Sequence, residues 1–272
     1  MRIRFVEPSI LPGFGLSFGI GIAYMSLLIF IPLAVLIAYS AQVGASGFWQ
    51  VITDKQVQHA LVFSLTTSFC AALCNLVCGF VVAWALARYN FWGKSLLDAL
   101  VDLPFALPTA VAGIALAYLF STNGFLGGII ELFGESRKDF IGVCAALVFI
   151  GLPFVVRTLE PVIEDLDAQS VEAARSLGAS FAQTFALVIL PSLLPAALTG
   201  FALAFARALG EYGSVIFVSS NIPFESQILP VVIVGKIESH DYVGASVVGV
   251  FMIFVSFVLL LGINALQKWG RQ

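Results

Sequence analysis

Of the 272 residues, 60% are hydrophobic and 11% are charged, whereas a soluble domain carries roughly 25% charged residues. So few charges cannot cover a water-facing surface, which excludes an ordinary soluble globular protein and makes lipid the natural solvent. The net charge of −3 is spread thinly, with no basic face that would suit nucleic acid.

Six apolar stretches follow one another along the chain: Phe14–Ser40, His59–Ala87, Leu103–Ser121, Phe140–Leu159, Leu193–Ser219 and Val243–Leu266. Each is long enough for a hydrocarbon core of about 30 Å, where a continuous helix satisfies its own backbone polar groups. An all-α membrane protein with about six transmembrane helices is therefore predicted, as a single domain over residues 1–272. The first stretch follows Arg2 and Arg4 but exceeds the roughly 7–15 apolar residues of a signal peptide, so it is expected to be a retained span. Gly15 and Gly19 form a small-xxx-small step in it that suits close helix approach. In the second stretch Cys70, Cys74 and Cys78 recur every fourth residue, with Cys144 further on; no His or carboxylate joins them. They read as small packing residues, and no metal site is expected; neither His59 nor His240 has metal-ligand spacing.

The third stretch opens on DLPFALPTAVAG. Pro104 is harmless in a first turn, whereas Pro108 removes a hydrogen bond and bends or loosens the helix, for packing or for gating. The longest polar interval, from Glu160 to about Ser192, reads as two short helices joined by a turn. Asp167 and Ser170 are placed to cap a helix starting near Ala168, with Val171, Ala174 and Leu177 on one side and Gly178 ending it. Phe181, Phe185 and Val188 form a second apolar face leading to Leu190-Pro191. Such a loop is either a connector lying on the bundle or a short helix that seats in a groove on another protein.

In the fifth stretch Arg207 and Glu211 stand four apart, on one face of a helix and within pairing distance. Ionisable groups inside a span are costly and often functional. The pair either locks the helix to its neighbours or lets Arg207 offer charge-assisted hydrogen bonds to a passing dianion, with Glu211 limiting how tightly it is held. Ser214, Ser219, Ser220 and Asn221 are candidate neutral donors nearer the outer face.

With the N-terminus inside, Arg2, Arg4, Arg88, Lys94, Arg157, Arg175, Lys268 and Arg271 fall on the inner side and Lys55, Arg137, Lys138 and Lys236 on the outer. This excess predicts cytoplasmic termini. No hydrolytic motif is present. Gly93-Lys94-Ser95 ends like a phosphate-binding loop, but Arg88 stands where its first glycine belongs, and a membrane helix precedes it instead of a buried strand. There is no HExxH or CxxC pattern, so no catalytic residue is expected.

Glu172-Ala173-Ala174, then Gly178, then Leu190-Pro191 resembles the EAA signature of ABC-importer permeases, with Val188 at the usual Ile position. The resemblance implies the type I (MetI-like) permease fold, with a cytoplasmic coupling loop at about 160–191. It makes Glu172, Ala173, Ala174 and Gly178 the residues that dock into an ATPase. DALVDLPFALPTAVAGIALAYLF at 98–120, Ser121-Thr122-Asn123-Gly124-Phe125, LPFVVRT at 152–158 and ARALGEYGSVIFVSSNIP at 206–223 are similar to T-type sulfate/thiosulfate permeases. Molybdate permeases share a related LGE(F/Y)G segment, so a molybdate or other oxyanion permease stays open as the alternative. A stand-alone secondary transporter or channel is the rival from another class, and it leaves the EAA loop without a job. The implied partners are a homologous W-type permease, two copies of an ABC ATPase that bind ATP and Mg, and an external sulfate-binding protein. The implied place is the bacterial inner membrane. Arg207, Glu211, Ser214 and Pro108 are then the candidate anion pathway or gate.

Overall fold

The computed structural model describes residues 14–121, 124–128 and 135–269. Arg2, Arg4, Thr122, Asn123 and Arg271 lie outside them, as do the side chains of Arg137 and Lys268. The helices are α1 (Phe14–Ala41), α2 (Gly44–Ile52), α3 (Lys55–Arg88), α4 (Lys94–Ala106), α5 (Thr109–Phe120), α6 (Glu135–Glu164), α7 (Ala168–Ser176), α8 (Phe181–Leu209), α9 (Val215–Val218), α10 (Leu229–Glu238) and α11 (Tyr242–Trp269). Among the described residues no strand occurs. Helices α1, α3, α6, α8 and α11 contain stretches long and apolar enough to cross a bilayer. Large apolar side chains such as Ile22, Val77 and Phe254 stand exposed on the outside of the bundle, as a protein dissolved in lipid requires.

The third span is broken, where the sequence suggests one helix over Leu103–Ser121. Helices α4 and α5 meet at 112°. The cause is Pro108, which forces Leu107 into an extended conformation (φ −88°, ψ 134°) and then serves as the N-terminal flank of α5. Pro104 sits deep in α4 instead of in a first turn. The fifth span also differs: α8 starts at Phe181 and stops at Leu209, with Gly210 closing it and a short α9 beyond. The second short helix of the polar loop is therefore the first turns of that span. A π-helical turn over Phe185–Ile189 carries the chain into Leu190-Pro191 without a break; the wider turn tolerates the missing proline N–H. Helix α6 runs on to Glu164, past the expected Leu159, which shortens the polar interval.

The core is formed where α3, α6 and α8 pack together. Small residues line the inner face of α3, including Ser64, Ser68, Ala72 and Gly79, so its neighbours approach closely. Cys70, Cys74 and Cys78 lie on the adjoining face and are exposed, so they are not packing residues within this chain. Cys144 is half-buried, its thiol donating to Thr67 O at 3.7 Å. Nothing approaches Gly15 or Gly19; the first half of α1 buries no residue of its own. Helices α2 and α10, which lie outside the six stretches and the polar loop, complete the fold. The N-terminus of α10 is held by Ser64 Oγ, which accepts from Leu229 N at 2.8 Å.

Candidate functional site: the α7 segment and the α5–α8 junction

The α7 segment is built by its caps. The Asp167 carboxylate accepts from Gln169 N at 2.9 Å, covering a backbone donor that an α-helix leaves unpaired at its start, and from the Ser170 hydroxyl at 2.8 Å. These bonds, the Gln169 amide foremost, hold the Asp167 carboxyl below the usual carboxylate range. At the other end Gly178 takes φ +83°. Gly178 N donates to Arg175 O at 2.9 Å and Ala179 N to Ala174 O at 3.1 Å, a Schellman closure that a side chain would strain. Val171 and Ala174 are half-buried and Val171 packs on the core. Leu177, expected on that same side, is instead 89% exposed at the C-terminal cap. Glu172, Ala173 and Gly178 are also exposed, and so is Phe181. The four residues that the EAA resemblance selects thus share one short helix and its exit, with three on an open face.

This end of the molecule is tied together. Arg88 Nη2 donates to Leu166 O at 3.4 Å, joining the end of α3 to the α6–α7 link. Phe185 stacks its edge on Phe80 and Trp84 of α3, ring centroids 6.0 and 6.4 Å apart. Arg157 of α6 is clamped by three acids: Asp102 Oδ2 at 2.6 Å, Glu160 Oε2 at 2.7 Å and Asp98 Oδ1 at 2.7 Å. The Asp98 contact is ionic, its angle being poor for a hydrogen bond. The clamp fixes α4 to α6 below the Pro108 break. Sequence reasoning counted Arg157 only for topology; Asp98 and Asp102, four apart in an apolar run, were the available signal.

The second group lies where α8 ends. Arg207 Nη1 donates to Glu211 Oε2 at 2.6 Å, although Glu211 is outside the helix and not on its face. The other oxygen, Oε1, accepts from Ser214 N at 2.9 Å and Ser214 Oγ at 3.1 Å. Glu211 and Ser214 are buried, while the Arg207 side chain is 34% exposed. No further acceptor for Arg207 occurs among the described residues, so part of its guanidinium is open to a ligand. The Ser214 hydroxyl is already committed to Glu211. Ser219 Oγ donates to Ser226 O at 2.9 Å, and Ser220 bonds to Asp139 through both N and Oγ.

Pro108 joins this group through α5. A Cβ at Gly113 would stand 2.5 Å from Ser214 O, and one at Gly213 would strike Thr109 Oγ1. Both glycines are needed for α5 to lie against the turn that holds Glu211. The tertiary structure therefore brings Pro108, Arg207, Glu211 and Ser214 to one junction, and leaves Glu172, Ala173, Ala174 and Gly178 apart from it. Helix α8 connects the two places. Its 29 residues span about 43 Å at 1.5 Å per residue. One rigid element runs from the α7 segment to the arginine.

The profile of the family described as "Binding-protein-dependent transport system inner membrane component" matches residues 75–270. The chain is 48% identical over 252 residues to the sulfate transport system permease protein CysT of Synechocystis sp., covering 92% of this chain and 88% of that protein. It is 43% identical over 265 residues to the protein of the same name from Escherichia coli, covering 97% and 96%. Among solved structures it resembles a chain of a bacterial alginate ABC transporter in complex with a pentasaccharide-bound periplasmic protein. The TM-score there is 0.77, with 16% identity and 93% of each chain covered. A chain of an amino acid ABC transporter aligns with a TM-score of 0.52, 19% identity and coverage of 80% and 92%. At such identities the structural likeness concerns the fold.

Proposed function

The chain belongs to the binding-protein-dependent transport system inner membrane component family, and from that premise we propose that it forms half of a sulfate/thiosulfate import pore worked by a partner ATPase. It is a multi-span inner-membrane permease subunit and performs no covalent chemistry itself. In this reading a W-type permease supplies the other half of the pore. Two ATPase subunits bind ATP and Mg, and an external sulfate-binding protein delivers the desolvated anion. The termini lie in the cytoplasm, which puts α7 on the ATPase side. The sulfate assignment draws on near-full-length similarity to sulfate permeases.

The observation that carries the mechanism is the single helix α8 between the exposed α7 segment and the Arg207–Glu211 junction. Glu172 supplies charge for a basic cleft, Ala173 and Ala174 let that cleft close in, and Gly178 sets the angle at which α8 leaves. Closure of the ATPase pair pushes α7, and α8 carries the displacement to the junction. There Pro108, Gly113 and Gly213 let α5 shift against Ser214 without backbone clash, which opens or closes the path. Arg207 offers its free N–H groups to the dianion, and Glu211 keeps the site weak enough to release it. Small, rigid-body movements of this sort are the usual repertoire of such switches.

Uptake of labelled sulfate into proteoliposomes bearing the assembled complex, with thiosulfate and molybdate as competitors, tests the reading. Sulfate and thiosulfate are expected to compete strongly and molybdate weakly. Stronger competition by molybdate would reassign the substrate. Uptake by this chain alone, without ATPase or nucleotide, would sink the importer mechanism.

A further inference from the structure

Between α1, α10 and α11 lies an apolar groove of about 730 Å³ that plays no part in the junction described above. We propose that it is a binding site for one acyl chain of a membrane phospholipid, with the headgroup at the Tyr39–Tyr242 end. Its walls are Pro32 and Leu36 of α1 facing Ala245 and Gly249 of α11. Tyr39 and Tyr242 line the same groove seven residues along each helix from Pro32 and Gly249. At 1.5 Å per residue the groove is about 10 Å deep, most of one leaflet of a hydrocarbon core about 30 Å thick.

The polarity runs the way a lipid does. The inner end is aliphatic, and the two phenols mark the end where aromatic side chains meet headgroups. Lys236, in the last turn of α10, forms an ion pair at 3.0 Å with Asp241, which directly precedes Tyr242, and both are exposed enough to meet a phosphate or glycerol oxygen. Across the groove, Leu36 Cδ2 lies 3.7 Å from a Cβ placed at Gly249, so α1 and α11 come within van der Waals reach there. A partner's transmembrane helix is about 10 Å wide and needs a trough running through the bilayer. This groove stops within one leaflet, which suits a chain end and not a helix. Water does not fill an apolar space at this depth. The first half of α1 buries no residue of its own, the groove-lining residues of α1 all come from its second half, and an acyl chain would complete their packing.

The test uses the assembled complex in bilayers doped with a phosphatidylglycerol that carries a photoactivatable diazirine midway along one chain. After irradiation and proteolysis, adducts on residues 32–39 and 242–249 are expected several-fold above those on the exposed face of α3 around Val77 and Val81. Equal labelling of both regions would overturn the proposal. Filling the groove with Ala245→Phe is expected to lower the α1 and α11 adducts several-fold and leave the α3 adducts unchanged. If the labelling persists, and the partner permease is lost from the complex instead, the groove belongs to protein and the proposal fails. The unsubstituted complex decides the question by itself should the variant not assemble.

Discussion

At the scale of single residues, Arg157, Arg207 and Lys236 are each held against carboxylates. Glu211 is 2% exposed and holds three donors, one of them charged. Arg207→Ala leaves that carboxylate buried with two neutral donors, at a cost of about 1–3 kcal/mol. The double variant Arg207→Ala/Glu211→Ala should recover most of this loss in thermal unfolding of the detergent-solubilised complex, because it removes the stranded charge. Neither variant should transport sulfate, and normal uptake by Arg207→Ala would dismiss any pathway role. Asp167 gives a prediction in pH. Its folded carboxyl has a lowered pKa, so the stability it lends α7 is complete above the ordinary carboxylate value and is lost as pH falls through the lowered one. The protection of the Gln169 amide against exchange, taken relative to its intrinsic rate at each pH, should fall below about pH 4. Asp167→Asn, an equally good cap, should show no such dependence; a flat profile in the unsubstituted protein would count against the cap.

At the scale of elements, α7 and α8 act as one lever only if the joint between them is stiff. Gly178 at φ +83° and the capping box of Ser180 with Gln183 define that joint. Gly178→Val should strain it by about 1–2 kcal/mol and misalign α7. Glu172→Lys alters only the charge of an exposed position. Both are expected to reduce co-purification of the ATPase while leaving membrane insertion intact, and unchanged co-purification would remove the docking role. The element-scale surprise is the broken α4–α5 pair. Composition marked 103–121 as apolar and Pro108 as a bend, yet a bend of 112° depends on what α5 rests on. Its support is the Ser214 backbone against Gly113, a contact between residues about a hundred positions apart. Local propensity carries no information about such a contact.

At the scale of the whole molecule, charge is sorted by end. Arg88 and Arg157 lie near the α7 side, tied to Leu166 and to α4, whereas Lys55, Lys138 and Lys236 lie at the other ends of the same helices or beyond. If the orientation is as proposed, a cysteine at Leu177 should react with a membrane-impermeant maleimide only when the cytoplasmic side is open. One at Glu225 should react from outside. The reverse pattern would invert the topology. The groove beside α1 belongs to this scale too, since it exists only where three separate helices meet.

The amino-acid order is enough to place the chain in lipid, to locate four of its spans, and to pick out the short segment that resembles the EAA signature. These follow from composition, length and local caps such as Asp167 and Gly178, which act within one turn. Packing in three dimensions is what gathers Pro108, Arg207, Glu211 and Ser214 at one junction and sets Arg157 among Asp98, Asp102 and Glu160. It also turns the cysteines of α3 outward and makes α8 continuous from the exit of the α7 segment to the arginine. The physical reason is the same each time. In a bundle where nearly every helix face is apolar, hydrophobicity no longer distinguishes inside from outside. Close approach of small residues and the pairing of rare charges choose the arrangement instead, and both are properties of pairs of helices.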